Sequence, residues 1–188
     1  EEQGLVYAEK TLDAGCGPLT LERRLGKPVY GIDMNSYMIE VGRAASPYKG
    51  INARVGYLSK MPLEWDGIFD LTACSLALNW SAKDVERINI IAELVRVTHP
   101  YGRIWIAIAE SALDEAHLSR WVGALRESGF VVVEELTGLI RSCDKAAREH
   151  PFQFWSLCFS PHGKHFDVRN AEAFRFLFEE KRKKRIFG

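Results

Sequence analysis

Residues 12–17 read Leu-Asp-Ala-Gly-Cys-Gly, and residues 31–33 read Gly-Ile-Asp. The first segment is typical of an apolar strand that ends in a glycine-containing turn, and the second of a short strand that ends in an acid. Asp33 lies 20 residues after Asp13. Glycines let the backbone approach a ligand closely, and an acid after the second strand can accept hydrogen bonds from the hydroxyls of a ribose. This layout predicts an α/β fold with a site for a nucleotide-like cofactor.

The spacing of the glycines separates two classes of such cofactors. A dinucleotide fingerprint needs a third glycine three positions after the second, and that position is Thr20. An acid two positions before the first glycine favours S-adenosylmethionine instead, because Asp13 would repel a diphosphate but attract an ammonium or sulfonium group. A plain strand-to-helix turn is the alternative, and the coincidence of three features disfavours it. We therefore expect S-adenosylmethionine to bind at Asp13, Gly15, Cys16, Gly17 and Asp33.

Length and composition predict one domain with a proper core. The chain has 188 residues, of which 47% are hydrophobic, and no apolar run approaches the roughly 20 residues that span a bilayer. We expect no membrane association. The four cysteines form no C-x-x-C pair, which disfavours a zinc site, and we expect no bound metal. Because the chain begins with Glu1 rather than Met, we also expect its natural N-terminus to be incomplete.

Apolar runs alternate with helical patterns along the chain, which predicts a doubly wound, mostly parallel sheet. The pattern predicts helices at residues 19–25, 36–45, 84–97 and 115–128. In the second of these, it predicts Ser36 as the N-cap and Met38, Ile39 and Val41 as the apolar side. It predicts seven strands, at residues 11–14, 29–32, 53–57, 68–76, 103–109, 130–136 and 152–159. Residues 137–151 read as loop or irregular helix, so the last strand is expected to be antiparallel. Residues 1–160 form the predicted domain, and 161–188 form a C-terminal extension.

The C-terminal extension carries a charge that differs from the rest of the chain. Its eight Lys/Arg and four Asp/Glu give +4, whereas the whole chain is neutral. The tail consists of five adjacent cations, Lys181, Arg182, Lys183, Lys184 and Arg185. Such a run predicts binding to RNA or a ribonucleoprotein, or a nuclear localisation signal. Just before it lie Phe174, Phe176, Leu177 and Phe178, which predict a segment that docks on this domain or on a protein partner.

Taken with these motifs, the chain resembles a class I S-adenosylmethionine-dependent methyltransferase over residues 10–160. Pro100-Tyr101-Gly102 is similar to the proline-glycine-glycine turn of that family, with Tyr101 departing from it. Residues 61–63, 74–78, 106–110, 128–130 and 152–154 resemble the nucleomethylin branch, the ribosomal RNA processing protein 8 type. That resemblance implies methylation of a ribosomal RNA base during ribosome biogenesis, in the nucleus or nucleolus. A mitochondrial location is the alternative.

The resemblance also implies roles for residues around the glycine turn. Asp13 and residues 15–17 would lie under the methionine part of the cofactor, and Asp33 would bind the ribose. The adenine would be flanked by Met34, Tyr57 and Leu58, and the transferred methyl group would be faced by Cys74, Ser75 and Leu76. Just beyond, Asn79 and Trp80 are the candidate catalytic residues, since they offer an amide and a stacking face to a nucleobase. Trp80 as a hydrophobic lid is an equal alternative.

Three departures from the family pattern bear on activity. Leu19 replaces the third glycine, where a side chain can crowd the cofactor, and Tyr57 replaces an acid beside the adenine. The fourth strand is followed by no Asn/Asp-Pro-Pro-Tyr motif. Two alternatives therefore stay open: a methyltransferase-fold assembly factor with little or no catalysis, and a small-molecule methyltransferase. Cys74 is not preceded by proline, which disfavours it as a covalent nucleophile, and Glu110 is a weak candidate for a base.

Overall fold

A computed structural model describes residues 10–80, 84–109, 115–141 and 153–161. Within these residues a single sheet contains eight strands. They are β1 (Thr11–Ala14), β2 (Tyr30–Asp33), β3 (Ala53–Val55), β4 (Phe69–Ser75), β5 (Thr98–Ala109), β6 (Val131–Val132), β7 (Gly138–Arg141) and β8 (Gln153–Ser160). The strand order is β3-β2-β1-β4-β5-β8-β6, with β7 paired to β8. The first five strands are parallel, and β8 runs antiparallel to β5.

Four α-helices lie in the described part of the chain, and each differs from its predicted bounds by at most one residue. They are α1 (Thr20–Leu25), α2 (Ser36–Ala45), α3 (Asp84–Val97) and α4 (Glu115–Glu127). Three short 3-10 turns accompany them, at Leu63–Trp65, Ala77–Trp80 and Glu134–Leu136. The predicted doubly wound, mostly parallel fold with an antiparallel last strand is therefore confirmed. None of the helices in the described ranges is long and apolar enough to cross a membrane.

The connection before the last strand differs from the prediction. Residues 137–151 were expected to contain no strand, but β7 forms there and pairs with the first half of β8, with Leu139 opposite Trp155. The predicted sixth strand is reduced to two residues, because a 3-10 turn follows it directly. Four residues give little local signal of a strand, since only the pairing with β8 stabilises them.

Strand β5 begins earlier than predicted and contains an irregularity. Phe69 pairs with Thr98 and Leu71 with Arg103, so four residues of β5 oppose one of β4. The predicted Pro100–Gly102 turn lies in this bulge rather than before the strand. Glycine is required at its end, because a Cβ on Gly102 would lie 2.7 Å from the carbonyl oxygen of Phe69.

Helix α2 has the predicted bounds, but its N-cap and part of its buried face differ from the prediction. Asn35, not Ser36, is the N-cap, and its side chain accepts a hydrogen bond from the N–H of Met38. Met38 itself is more than one-third exposed, although we expected it in the core. Val41 is also more than one-third exposed, whereas Ile39 is buried as predicted, and Gly42 is buried with it. Gly42 lets the helix pack closely on the turn after β1, because a Cβ there would lie 2.8 Å from the carbonyl carbon of Pro18.

Parallel strands β1, β2, β3 and β4 all end at the same edge of the sheet. The strand order reverses between β1 and β4, since β1 lies between β2 and β4. In open α/β sheets this reversal creates a crevice at the carboxyl ends of the strands, and ligands bind there. The residues singled out in the sequence follow these same four strands.

Candidate cofactor and substrate site

The glycine turn leaves β1 and folds back over the end of β2. Gly15 and Gly17 have φ values of +81° and +47°, a region that glycine enters without steric cost. The N–H groups of Gly15 and Cys16 both donate to the carbonyl oxygen of Ile32, at 2.8 and 3.2 Å. The turn is thereby held against the second strand.

Asp33, the acid that ends β2, is positioned by backbone groups on both sides. Its Oδ2 accepts from the N–H of Gly17 at 2.9 Å, and its Oδ1 accepts from the N–H of Asn35 at 2.8 Å. A carboxylate has about four acceptor sites, so each oxygen keeps capacity for a further donor. The side chain is only partly buried. Asp33 can therefore accept hydrogen bonds from a pair of ribose hydroxyls while it holds the turn.

Asp13 is a buried carboxylate at the base of the site. It is only 6% exposed, and within the described residues no group donates a hydrogen bond to it. Burial, together with the smaller effect of the negative charge of Asp33, raises its pKa to about 7. An unpaired buried carboxylate is costly unless a cation or donor meets it. The site thus lacks a positively charged partner that a bound ligand can supply.

Leu19 does not occupy the cofactor's side of the turn. It has a φ of +56° and is completely buried, in a small cluster with Cys16, Ile39 and Ala53. Its side chain fills space left by three glycines: a Cβ added at position 50, 42 or 31 would lie 2.2, 2.8 or 3.2 Å from it. A side chain without accessible surface does not line an open pocket. Leu19 therefore does not crowd the cofactor, contrary to the concern raised by the sequence.

The turn that follows β4 lies against the glycine turn. A Cβ on Gly15 would lie 2.5 Å from the Cβ of Ala77 and 3.8 Å from Cδ1 of Leu58. Leu76, just before, has a left-handed φ of +62°, and its N–H donates to the carbonyl oxygen of Ala107 at 2.9 Å. Local sequence patterns do not predict the contact between Ala77 and Gly15, because it depends on where the turn after β4 is placed.

The end of β4 places its residues at different depths. Ser75 is exposed, whereas Cys74 is completely buried. Burial, together with the smaller effect of the charge of Asp13, raises the pKa of the Cys74 thiol to about 12. Burial also raises the pKa of Cys16 well above its usual range. A thiol of this kind is not ionised near neutral pH, which argues against a covalent role for Cys74.

Asn79 and Trp80 lie in the 3-10 turn beyond β4. The amide oxygen of Asn79 accepts from the N–H of Ala109 at 3.3 Å, which ties the exits of β4 and β5 together. Its NH₂ group makes no hydrogen bond to any described residue. Trp80 is 89% exposed. An indole this exposed does not act as a closed hydrophobic lid in this conformation, and its ring face is accessible to a ligand.

The structure therefore gathers most of the expected site residues at one edge of the sheet. Asp13, the glycine turn and Asp33 lie at the ends of β1 and β2, and Met34, Tyr57 and Leu58 follow β2 and β3. Cys16 and Cys74 lie beneath this surface. Several expected residues fall outside the described ranges, namely Glu110, the segment 174–178 and the basic tail 181–185. In the described part of the chain, no His, Cys, Asp or Glu cluster is suited to a metal.

A family model described as a methyltransferase domain matches residues 12–106, just over half of the chain. The match includes both glycines of the turn, Asp33 and all of β4. The chain belongs to this family of methyltransferase domains, and its cofactor is S-adenosylmethionine. No curated protein matches the chain.

Solved structures share the fold. A complex of the Trm112 methyltransferase activator with a methyltransferase from Haloferax volcanii matches with a TM-score of 0.62 and 18% identity, covering 88% of this chain and 90% of that one. An S-adenosylmethionine-dependent methyltransferase from Mesorhizobium loti matches with a TM-score of 0.58 and 20% identity, covering 80% and 89%. The [4+2]-cyclase SpnF matches with a TM-score of 0.57 and 14% identity, covering 80% and 74%. The fold alone thus does not specify the reaction.

The residues at the site fit S-adenosylmethionine. Asp13 supplies the buried negative charge that a cationic amino acid moiety needs, and its unpaired state in the described residues is the strongest sign of the fit. Asp33 has acceptor capacity for ribose hydroxyls. Met34 and Tyr57 offer exposed apolar surface to a purine.

Proposed function

We propose that the protein transfers a methyl group from S-adenosylmethionine to a base of RNA, with ribosomal RNA as the substrate. The observation that carries this proposal is the exposure of Trp80 beside the unpaired NH₂ group of Asn79. RNA-modifying enzymes must hold a base outside the stack, and aromatic faces with polar groups at the base edge serve that purpose. The resemblance to the nucleomethylin branch supports the same substrate.

The chain's contribution to such a reaction is mainly alignment. When bound, the cofactor supplies an electrophilic methyl group on a sulfonium. Trp80 stacks on the base, and the Asn79 amide donates to an acceptor on the base edge. Because Asn79 is anchored by the Ala109 N–H, it holds the base in a fixed orientation, which favours direct displacement. No step needs a cysteine nucleophile, consistent with the buried, un-ionised thiol of Cys74.

The C-terminal extension completes the proposal. The five cations at 181–185 bind RNA phosphates, and the apolar residues of 174–178 bind a protein partner in the same ribonucleoprotein. We propose a nuclear or nucleolar location on this basis, with a mitochondrial ribosome as the alternative. The prediction for the tail is a strong salt dependence, because each phosphate contact releases counterions.

The test measures transfer of a radiolabelled methyl group to total ribosomal RNA. We expect incorporation by the intact chain, and a loss of about 10-fold or more in Trp80→Ala, since base–aromatic stacking contributes roughly 1–3 kcal/mol. Tyr101→Ala is the matched control, because Tyr101 is also highly exposed but lies near the start of β5, at the opposite edge of the sheet. Equal activity of the two variants would contradict the placement of the base.

A second measurement concerns RNA binding. A chain that ends at residue 180 should bind RNA more weakly, with the slope of log affinity against log salt reduced by up to about 3. An unchanged slope would contradict the role of the tail.

The close packing of Ala77 on Gly15 favours a second candidate, an assembly factor of this fold with little or no catalysis. RNA binding without methyl incorporation would support it. Methylation of small molecules but not of RNA would instead indicate a small-molecule methyltransferase.

A further inference from the structure

Two exposed side chains flank the carboxyl ends of β2 and β3. Met34 follows the last residue of β2 and is 72% exposed, and Tyr57 follows β3 by two residues and is 65% exposed. The N–H of Gly56 donates to the carbonyl oxygen of Asp33 at 2.9 Å, which holds the two strand ends side by side. Both side chains therefore lie beside Asp33, the acceptor for the ribose.

The surface between these side chains and the glycine turn is apolar. Leu58 is partly buried and packs on the main core. Its Cδ1 lies 3.8 Å from the position of a Cβ on Gly15. Leu58 therefore connects the purine end of the site with the turn. The thioether of Met34, the phenol ring of Tyr57 and the side chain of Leu58 together provide a surface suited to the face of a flat ring.

The acids around the segment after β3 are already paired with arginines. Oε1 of Glu64 lies 2.5 Å from Nη1 of Arg54. Glu93 accepts from Arg96 at 2.7 Å, and Asp66 lies 3.8 Å from the same guanidinium. These carboxylates are directed toward the two guanidinium groups, and residues 56–60, directly after β3, include no Asp or Glu.

Asp33 does not fill that role either. Its two oxygens are aligned by the N–H groups of Gly17 and Asn35, and the ribose hydroxyls would take its remaining acceptor capacity. Asp13 is buried at the base of the site. Among the described residues, a carboxylate placed beside Tyr57 to accept from a 6-amino group is therefore missing, and Tyr57 stands where the sequence resemblance leads one to expect an acid.

We propose that this protein recognises the purine of S-adenosylmethionine by stacking against Met34 and Tyr57, without a carboxylate that accepts from its 6-amino group. A purine that lacks this amino group should then bind nearly as well. The reason is that a site built to hydrogen-bond a substrate group rejects an analogue without it strongly, whereas stacking tolerates the change. The inference depends on the cofactor and not on the proposed RNA substrate.

The experiment measures binding by calorimetry without RNA. The two ligands are S-adenosylhomocysteine and its analogue in which hydrogen replaces the 6-amino group. We expect dissociation constants that agree within about 3-fold. A loss greater than about 10-fold for the analogue would overturn the inference, because it would reveal an acceptor for the amine. If neither ligand binds, both this inference and the assignment of S-adenosylmethionine as the cofactor are wrong. An absence of RNA methylation would contradict the proposed substrate but not this inference.

Variants at position 57 separate the ring from its hydroxyl. Tyr57→Ala should weaken both ligands about 10-fold, and Tyr57→Phe should keep most of the affinity because the ring remains. Tyr57→Asp should introduce a preference of about 10-fold for the ligand with the amino group. Tyr101→Ala, with circular dichroism to verify folding, is the control. Equal losses in Tyr57→Phe and Tyr57→Ala, or no loss in Tyr57→Ala, would overturn the proposal.

Discussion

The backbone N–H of Gly17 donates to Oδ2 of Asp33 at 2.9 Å. This bond joins the glycine turn after β1 to the acid at the end of β2. The conformation of the turn and the orientation of the ribose acceptor are therefore a single structural unit. A change at either residue should affect both the shape of the turn and the affinity for the cofactor.

Asp33→Asn should weaken S-adenosylmethionine binding by about 1–3 kcal/mol, because charge-assisted hydrogen bonds to the ribose become neutral ones. The amide oxygen still accepts from one backbone N–H, so the fold should be retained. Asp33→Ala should in addition lower the free energy of unfolding, since the N–H groups of Gly17 and Asn35 lose their acceptor. Calorimetric titration and urea unfolding measure the two effects. Asp66→Asn, at an exposed acid, is the control, and an equal loss there would contradict the assignment.

Cofactor binding should release a proton at pH 6. Asp13 has a pKa of about 7 in the free protein, so its carboxyl group is mostly protonated at that pH. A cation bound beside it favours the ionised form and lowers its pKa. Affinity should therefore rise with pH up to about 7 and then level off. Titration calorimetry in buffers of different ionisation enthalpy counts the released protons, and a count near zero at pH 6 would contradict the pairing.

The same group makes stability depend on pH in the absence of the cofactor. In the folded state the pKa of Asp13 is raised from 3.8 to about 7, so between these values the folded state holds a proton that the unfolded state has lost. The free energy of unfolding should therefore fall as pH rises from about 4 to 7, by at most about 4 kcal/mol. Asp13→Asn should lack this fall. Urea unfolding of the parent and of Asp13→Asn at pH 5 and pH 8 tests this prediction. An equal change in the free energy of unfolding between the two pH values in both proteins would contradict the raised pKa of Asp13.

Gly15→Ala should destabilise the protein as well as abolish cofactor binding. The new Cβ would lie 2.5 Å from that of Ala77, and φ is +81°. We expect a loss of about 2–4 kcal/mol in unfolding free energy from overpacking and backbone strain. Adding Ala77→Gly removes the colliding methyl group and should restore part of the stability, which a double-mutant cycle measures. Simple additivity of the two changes would show that the close contact is not the cause.

At position 19 a glycine variant should be more stable than an alanine variant, which is the reverse of the usual order of stability. Leu19→Ala keeps the left-handed backbone and loses the buried side chain, at a cost of about 2–5 kcal/mol. Leu19→Gly loses the same burial but relieves about 1–2 kcal/mol of strain. The glycine variant should therefore be the more stable of the two in urea unfolding. Both should bind S-adenosylmethionine within about 3-fold of the parent, and a larger loss would place Leu19 in the pocket after all.

Strong local patterns account for the parts of the fold that the sequence predicted. Helices α2 and α3 have the predicted bounds, and β1 matches as well. The strand β7 was missed because its four residues are stabilised only by pairing with β8. The prediction for Met38 was wrong because α2 turns the face with Ile39 and Gly42 inward, and Gly42 packs on Leu19 and the backbone of Pro18, a contact between distant segments.

The candidate site was predictable as a set of residues but not as a set of contacts. Asp13, the two glycines and Asp33 follow from spacing. The burial of Leu19, the approach of Ala77 to Gly15 and the anchoring of Asn79 by Ala109 all join segments distant in the chain. Such contacts leave no periodic signal, because each depends on how the strand order places two turns.

The burial of Leu19 among Gly31, Gly42 and Gly50 constrains how this sequence can change over evolutionary time. Each glycine lies in a different segment, yet all three make room for one isobutyl group. A lineage that replaced Leu19 with glycine would still be constrained at the other three positions, because a Cβ at Gly31 would meet Cys16, one at Gly42 would meet the backbone of Pro18, and Gly50 has a φ of +50°. The three glycines should therefore persist among close relatives even where Leu19 has changed.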